Sequence, residues 1–348
     1  MSLFNCNNVF IIAELSANHG GDLNIALDTV KAAKRAGADA IKLQTYTPDT
    51  ITINCSGGPF ENLLDGSIWQ GRNLYDLYSE AYTPWEWHEE LFRVAKEEGL
   101  ICFSSPFDKT AVDFLERFNP PAYKIASFEI TDIPLIQYAA SKGKPMIMST
   151  GIAELGDIEL AVKTCRDAGN EDITLLKCVS SYPAPVEDSN LATISDLKKR
   201  FGVRVGLSDH SLGMIVPVTS VALGAKVIEK HFILDKSIGG PDASFSLDEK
   251  EFADMVIAVR QAESAIGQVS YDLNDKMRSS RKFARSLFVV EDIKAGEIFT
   301  EENVRSIRPN YGLHPKYLKD VLGKKAVNNI CRGKELKIED IDHPNMGE

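Results

Sequence analysis

The sequence predicts an α/β chain in which a (β/α)8 TIM barrel is followed by a small β-rich domain. Three observations carry that prediction. Short, near-continuous apolar runs alternate with helix-patterned segments eight times across residues 1–267 of the 348. Such runs mark strands buried on both faces, as in a parallel sheet covered by helices. Eight units close a barrel, and the roughly 265 residues available suit one. A doubly wound open sheet is the alternative, but no GxGxxG follows the first run, which disfavours a dinucleotide fold.

The predicted strands are residues 9–15, 40–43, 100–103, 122–125, 145–148, 174–178, 203–207 and 225–228. The segments between them carry helical punctuation. Residues 24–36 end at Gly37, residues 84–98 have Pro84 in the first turn and stop at Gly99, and residues 156–168 stop at Gly169. Proline fits only the first turn of a helix, and glycine readily takes the left-handed conformation that ends one. Residues 53–79 break the rhythm after the second strand. That stretch is long, glycine-rich and carries Trp69 and Tyr75, so it reads as a loop ordered on a site. Residues 268–284 are polar and basic and read as a linker. Residues 285–348, with turns such as Lys294-Ala295-Gly296-Glu297, read as a second domain of short strands.

The net charge is −11, yet Arg285 to Glu348 carries 11 basic and 11 acidic residues, so the acidity belongs to the barrel. An acidic body argues against nucleic acid as a partner. An anionic substrate must then be held by a few local lysines and backbone N–H groups. No apolar stretch approaches the roughly 20 residues that span a bilayer, so no membrane is expected. The first ten residues lack the pattern of a signal peptide. The six cysteines are scattered without a CxxC pair, which points to a reducing, cytoplasmic compartment. Cys102 and Cys178 lie inside apolar runs and are expected to act as small hydrophobes.

Catalytic groups of a barrel project from the C-terminal ends of its strands. Read in order, those ends supply Glu14, Ser16, Asn18 and His19; Lys42 and Gln44; Ser104 and Ser105; Lys124, Ser127 and Glu129; Ser149 and Thr150; Lys177, Ser180, Ser181 and Tyr182; Ser208 and His210; Glu229 and His231. Lys42 and Lys124 are point charges suited to phosphate or carboxylate. Both sit inside apolar runs, where an unpaired ammonium would be costly. Ser105, Ser127, Ser149 and Ser208 are compact donors for anionic oxygens. His210 and His231 end adjacent strands and could share one ion. Two imidazoles leave positions open to water and substrate, which suits a labile divalent metal (Mn²⁺, Mg²⁺ or Co²⁺) better than structural zinc. His19 is a weaker candidate, and His88, His314 and His343 read as structural.

These residues lie in recognisable segments: Ala13-Glu14-Leu15-Ser16-Ala17-Asn18-His19-Gly20-Gly21, Ile41-Lys42-Leu43-Gln44, Tyr123-Lys124-Ile125-Ala126-Ser127, Ser149-Thr150-Gly151, Gly206-Leu207-Ser208-Asp209-His210-Ser211-Leu212-Gly213 and Glu229-Lys230-His231-Phe232. From about residue 9 to 341 the chain resembles the sialic acid synthase family. These nonulosonate synthases condense phosphoenolpyruvate with an acetamido sugar. Asp292-Ile293-Lys294-Ala295-Gly296-Glu297 and Ile307-Arg308-Pro309 resemble the family's antifreeze-like (SAF) domain. Leu74-Tyr75-Asp76-Leu77-Tyr78, residues 81–88 and Tyr123 to Glu129 resemble the pseudaminic acid branch more than the sialic or legionaminic ones. The segment after the sixth strand departs from the sialic pattern, with Ser180 where an Asn is usual.

The resemblance implies that Lys42, Ser105, Lys124, Ser127, Ser149, Ser180 and Ser208 hold phosphoenolpyruvate and that His210 and His231 hold the metal. It further implies that Gln44, Glu129, Tyr182, Asp242 and Phe283 line the sugar site. Arg308 would reach an N-acetyl group from the partner subunit of a domain-swapped homodimer. Carbon 3 of phosphoenolpyruvate would attack a sugar aldehyde polarised at the metal, water oriented by the metal or by Glu14 or Glu129 would add at carbon 2, and phosphate would leave. The implied sugar is 2,4-diacetamido-2,4,6-trideoxy-altrose, whose missing 6-hydroxyl calls for an apolar patch; Phe128 and Phe245 are candidates for it. A sialic or legionaminic acid synthase, a catalytically silent sugar-binding protein and a Schiff-base aldolase are the rival readings.

Overall fold

The computed structural model describes residues 8–55, 57–60, 64 and 66–343. The N-terminal segment read for a signal peptide, with Cys6, falls largely outside them. Eight parallel strands close a barrel in sequence order: β1 (Phe10–Glu14), β2 (Ala40–Thr45), β3 (Ile101–Pro106), β4 (Tyr123–Ile125), β5 (Met146–Ser149), β6 (Ile173–Cys178), β7 (Arg204–Asp209) and β8 (Val227–His231). The closing seam pairs β1 with β8, setting Phe10 opposite Val227 and Glu14 opposite His231. Each strand expectation is met within about three residues. The helices around it are α1 (Leu23–Arg35), α2 (His88–Glu97), α3 (Lys109–Glu116), α4 (Ile133–Ala140), α5 (Leu155–Asp167), α6 (Ala192–Phe201), α7 (Ile215–Ala222) and α8 (Glu249–Ile266).

The two-residue period of a strand explains how the barrel is built. Ile11, Ala13, Ile41 and Leu43 face outward and pack on helices in one apolar layer. Their neighbours Ile12, Ala40, Phe103, Ala122, Ile147, Leu176 and Val227 fill the interior. On β7 the matching position is Gly206, where a Cβ would fall 2.2 Å from the Val227 carbonyl oxygen and 2.7 Å from Leu176 Cδ2. The interior therefore admits no side chain there. Two residues further along the same face of the eight strands stand Glu14, Lys42, Ser105, Lys124, Ser149, Cys178, Ser208 and Glu229, all buried. An apolar plug thus carries a polar layer on top of it, built from one residue of each strand.

Local signals set the helix ends. Asp22 caps α1 by accepting the Asn24 N–H, and Lys34 and Arg35 sit in its last turn, where cations complement the helix dipole. Gly37 follows at φ +89°, a conformation few other residues adopt cheaply. The helix expected over 84–98 is shorter: residues Trp85–Trp87 form a 3-10 turn after Pro84, and α2 starts at His88. Part of the long loop folds as a helix, Leu74–Ala81, capped by Asn73.

Chain contacts divide the protein into Met1–Gly267 and Gln268–Glu348. The second unit pairs β9 (Ser286–Val289) with β10 (Val304–Ile307) in antiparallel fashion. Its own core gathers Leu287, Val289, Ile293, Phe299, Val304, Val321, Ile330 and Leu336. The segment 268–284, expected as a linker, contains a short helix, Asp275–Ser280, and a 3-10 turn, Arg281–Phe283. Asn274 caps that helix by accepting the Met277 N–H, which supplies the local reason for it.

Candidate active site

A cavity of about 580 Å³ lies over the polar layer at the C-terminal ends of the strands. Its floor is a network of four buried charges. Lys42 is ion-paired with Glu14 and lies 3.0 Å from Glu229, while Lys124 lies 3.4 Å from Glu229. Burial works against ionised Glu229, but Lys124 and Lys42 outweigh it and hold the carboxyl well below its ordinary range. The two lysines diverge. Burial pulls Lys124 below the usual ammonium range, with Glu229 only partly compensating. Lys42 ends above that range, because Glu14 and Glu229 together overcome its burial. The lysines, read from sequence as point charges for an anion, are thus paired in advance with carboxylates of the protein. Glu229, read from sequence as a strand-end group but given no role, ties them together. Its place beside Lys230-His231 at a strand end was the available signal.

Serines stand among these charges and beside them. Ser180 donates to Ser127 Oγ at 2.7 Å, and Ser127 Oγ accepts the Ile152 N–H at 3.1 Å. A Cβ on Gly151 would fall 2.2 Å from Ser180 Oγ, 2.6 Å from Ser127 Oγ and 3.0 Å from Cys178 Sγ. The bare backbone of Gly151 thus completes a small polar cradle. Ser208 donates to Glu229 at 3.0 Å. The buried hydroxyls of Ser149 and Ser105 have no hydrogen-bond partner among the described residues. An unpaired buried hydroxyl costs about 1–3 kcal/mol, so a ligand oxygen is its natural complement. Ser127, Ser149 and Ser208 line the cavity; Ser105 and Ser180 are not part of its lining.

Cys178 corrects the reading of a mere hydrophobe. Its thiol belongs to the polar layer, 3.8 Å from His210 Nδ1 and 3.9 Å from Ser180 Oγ. Burial would raise it, yet His210 and Lys124 hold it below the usual thiol range.

His210 and His231 face one another with ring centroids 5.3 Å apart. His210 Nδ1 lies 2.8 Å from the Val179 carbonyl oxygen, a contact that requires Nδ1 to carry the proton and leaves Nε2 as the lone-pair nitrogen. His231 Nδ1 stands 3.5 Å from the Asp242 carboxylate, within ion-pair reach but with no hydrogen bond closed among the described residues. No group of three or more His, Cys, Asp or Glu ligands occurs among the described residues. The donor set fits a divalent ion held by two imidazoles, with its other positions left to water and substrate oxygens.

Tyr182 packs on His210 at 4.4 Å and on Trp69 at 5.5 Å between ring centroids. Gln44 donates to Glu14 at 2.8 Å and to Ser16 at 2.9 Å. Glu129 lines the cavity with Oε2 unpartnered among the described residues. Burial, opposed by Lys124, pushes its carboxyl up to about 7. Phe128 is on the wall, but Phe245 is buried behind the histidines, 4.9 Å from the His231 ring, and is not part of the lining. The remaining wall is apolar: Tyr46, Ile51, Leu74, Leu77, Tyr78 and Phe107, mostly from the insertion after β2. Phe283 and Arg308 belong to the second unit. There Ser286 Oγ binds the Pro309 carbonyl oxygen at 2.6 Å and fixes the turn after Arg308.

The other histidines do not line the cavity. His19 is buried against Trp87 and accepts the Gly21 N–H. His88 contacts Thr45 Oγ1 at 2.8 Å and is pushed down to about 4 by burial. His314 caps a short turn by accepting the Lys316 N–H, and His343 is exposed.

Comparison with known proteins fits this geometry. The sequence model of the NeuB family matches residues 29–271, and that of the SAF domain matches residues 284–341. The chain is 55% identical to pseudaminic acid synthase of Campylobacter jejuni over 329 residues, covering 94% of this chain and 95% of that protein. It is 49% identical to pseudaminic acid synthase of Helicobacter pylori, covering 95% and 97%. Among solved structures it resembles N-acetylneuraminic acid synthetase of Leptospira borgpetersenii, in complex with citrate, with TM-score 0.71, 32% identity and coverage of 80% and 94%. Matched along nearly its whole length, the chain belongs to the NeuB family, the one its motifs resemble.

Proposed function

We propose that this chain is a pseudaminic acid synthase: it condenses phosphoenolpyruvate with 2,4-diacetamido-2,4,6-trideoxy-β-L-altrose to give pseudaminic acid and phosphate. The observation that carries the reading is identity of 49–55% to synthases of that name over about 95% of the chain. The site is consistent with it. Lys124, Ser127, Ser149 and the Gly151 cradle suit a phosphate, with Ser180 acting through Ser127. Lys42, Ser105 and Ser208 complete the anion side. His210 and His231 would hold a divalent metal, which supplies Lewis-acid polarisation of a carbonyl oxygen when bound. Gln44, Tyr182 and Asp242 then line the sugar side.

Proton transfer falls to Glu129 in this reading. Glu14 is already engaged by Lys42 and Gln44, whereas Glu129 has a free oxygen in the cavity and titrates near neutrality. A general base poised near the working pH is the efficient one. Removing water's proton as it adds at carbon 2 is the step that suits it, and the lysine pair balances charge that grows on the leaving phosphate.

The dimer reading has its own support. Phe128, Ile152, Leu155, Val186, Leu212, Met214 and Ile215 are exposed on the loops after β4 to β7 or at the start of the helices that follow. An apolar rim of that kind marks a protein interface. Arg308 and Phe283 of a partner subunit would complete the sugar site there. Three buried thiols without a disulfide, Cys102, Cys165 and Cys178, accord with a reducing cytoplasmic compartment. No helix among the described residues is long and apolar enough to cross a membrane.

The test is phosphate release from phosphoenolpyruvate with Mn²⁺, with the diacetamido-trideoxy-altrose compared with N-acetylmannosamine. Release with the first sugar alone is expected. Release with N-acetylmannosamine alone would move the chain to the sialic branch, and release with neither would overturn the assignment.

A further inference from the structure

We infer that Trp69 determines specificity for the sugar: its indole is the wall against which the methyl-bearing, deoxygenated end packs, and it disfavours sugars with a hydroxyl there. The inference rests on the condensation proposed above and adds what selects the sugar.

Trp69 comes from the insertion after β2 and lines the cavity together with Leu74, Leu77 and Phe128. Its position is held at both ends. The indole N–H donates to the Pro241 carbonyl oxygen at 2.9 Å, and the ring packs on Tyr182. Since that N–H is spent on the protein, the indole offers a ligand only carbon surface and π density. The rings of His231, His210, Tyr182 and Trp69 touch in succession, at 5.3, 4.4 and 5.5 Å between centroids. This chain runs from the polar end of the cavity to its apolar end. The substrate carbonyl belongs at the imidazole end, among the groups that polarise oxygen. The far end of the sugar is then carried along Tyr182 to Trp69. A methyl group there gains apolar contact, whereas a hydroxyl would give up water without finding a donor or acceptor on the indole. Tyr182 and Trp69 are also rigid, so little entropy opposes the contact.

The experiment uses the Mn²⁺-loaded full-length chain. Steady-state constants are measured for phosphoenolpyruvate, the 6-deoxy diacetamido sugar and its 6-hydroxy counterpart, in wild type and in Trp69→Ala, Trp69→Gln and Trp69→Phe. The Ala and Gln variants should raise KM for the 6-deoxy sugar about tenfold, in keeping with the effect of one apolar contact in a pocket. KM for phosphoenolpyruvate should stay within about twofold, because the contacts that hold Trp69 are to Pro241 and Tyr182 and not to the cradle serines. The ratio of kcat/KM between the two sugars should fall by a similar factor, and Trp69→Phe should keep most of it. An unchanged ratio in folded Ala or Gln variants, or an equal rise in both KM values, would overturn the inference. Should Trp69→Ala fail to fold, Gln against Phe decides. A wild type that does not turn over the 6-deoxy sugar refutes the proposed function and the inference with it. Normal wild-type turnover with an unmoved ratio refutes the inference alone.

Discussion

Asp209 on β7 and Lys230 on β8 are register partners and form an ion pair on the outer side of the barrel, back to back with His210 and His231. Lys230 also donates to the Ser211 carbonyl oxygen, and Asp209 accepts the Ser211 N–H at 3.0 Å. Both side chains are almost wholly buried. Burial draws Lys230 below the usual ammonium range despite the pull of Asp209. A buried pair adds little beyond an apolar pair of similar shape, but half of one is costly. Lys230→Met should therefore destabilise the chain by about 3–5 kcal/mol. Calorimetry should show the barrel melting roughly 6–20 °C lower. Asp209→Leu combined with Lys230→Met should recover most of the loss. A single variant that melts like wild type would contradict the argument.

Glu129 and Glu229 should give the stability curve opposite slopes. The folded pKa of Glu129 is raised, to about 7 from 4.5, so the native state binds the proton more tightly. Its contribution is fully present below pH 4.5 and is lost as pH rises through 7. Glu229 is depressed, so its contribution is present above pH 4.5 and is lost as pH falls. Urea titrations of Glu129→Gln should match wild type below pH 4.5 and show higher stability at pH 8. The same variant should lose the limb near pH 7 from the rate profile. A limb that persists would assign that titration to another group.

Gly151→Ala should damage binding more than folding. The added methyl displaces the Ser180 and Ser127 hydroxyls, which can rotate away at small cost, but it fills the cradle they form. KM for phosphoenolpyruvate should rise by roughly 10–200-fold, the range for one misplaced group in a tight pocket. The melting temperature should change by a few degrees at most. Unchanged KM would remove the cradle from the phosphate site.

His210→Ser and His231→Ser should each abolish turnover and leave the fold intact, because neither ring belongs to the apolar plug. In wild type, chelation followed by dialysis should stop phosphate release, and Mn²⁺ should restore it. Mn²⁺ binding should be measurable by calorimetry in wild type and lost in both variants. Full turnover by metal-free protein would exclude the two-imidazole centre from the chemistry.

Much of the site could be read before the fold, for a local reason. Lys42, Lys124, Ser149 and Ser208 each lie two residues beyond an apolar side chain or a glycine on one strand face, and that period is written in the chain. What escaped reading depends on partners distant in sequence. Glu229 looked like one more polar strand end until closure brought it within 3.4 Å of lysines from β2 and β4. Cys178 looked apolar because its neighbours are, although its register places the thiol inside with the serines. Phe245 looked available to a sugar, but packing put it behind His231. The helix of 275–280 was hidden by composition, since a polar segment shows no apolar stripe when little of it is buried.

By itself, the sequence determined the strand–helix alternation, the barrel it closes, the family and the side chains at the strand ends, because strand period, helix punctuation and motif spacing are properties of short stretches. Only the tertiary structure decided which of those side chains meet. Closing the ring of strands forces Lys42, Lys124, Glu14 and Glu229 to settle their charges together in a dry interior, and folding the insertion back brings Trp69 to the far side of the same cavity. Electrostatic coupling falls with distance through space and not along the chain, so no reading of one strand at a time could have set that charge pairing or that wall.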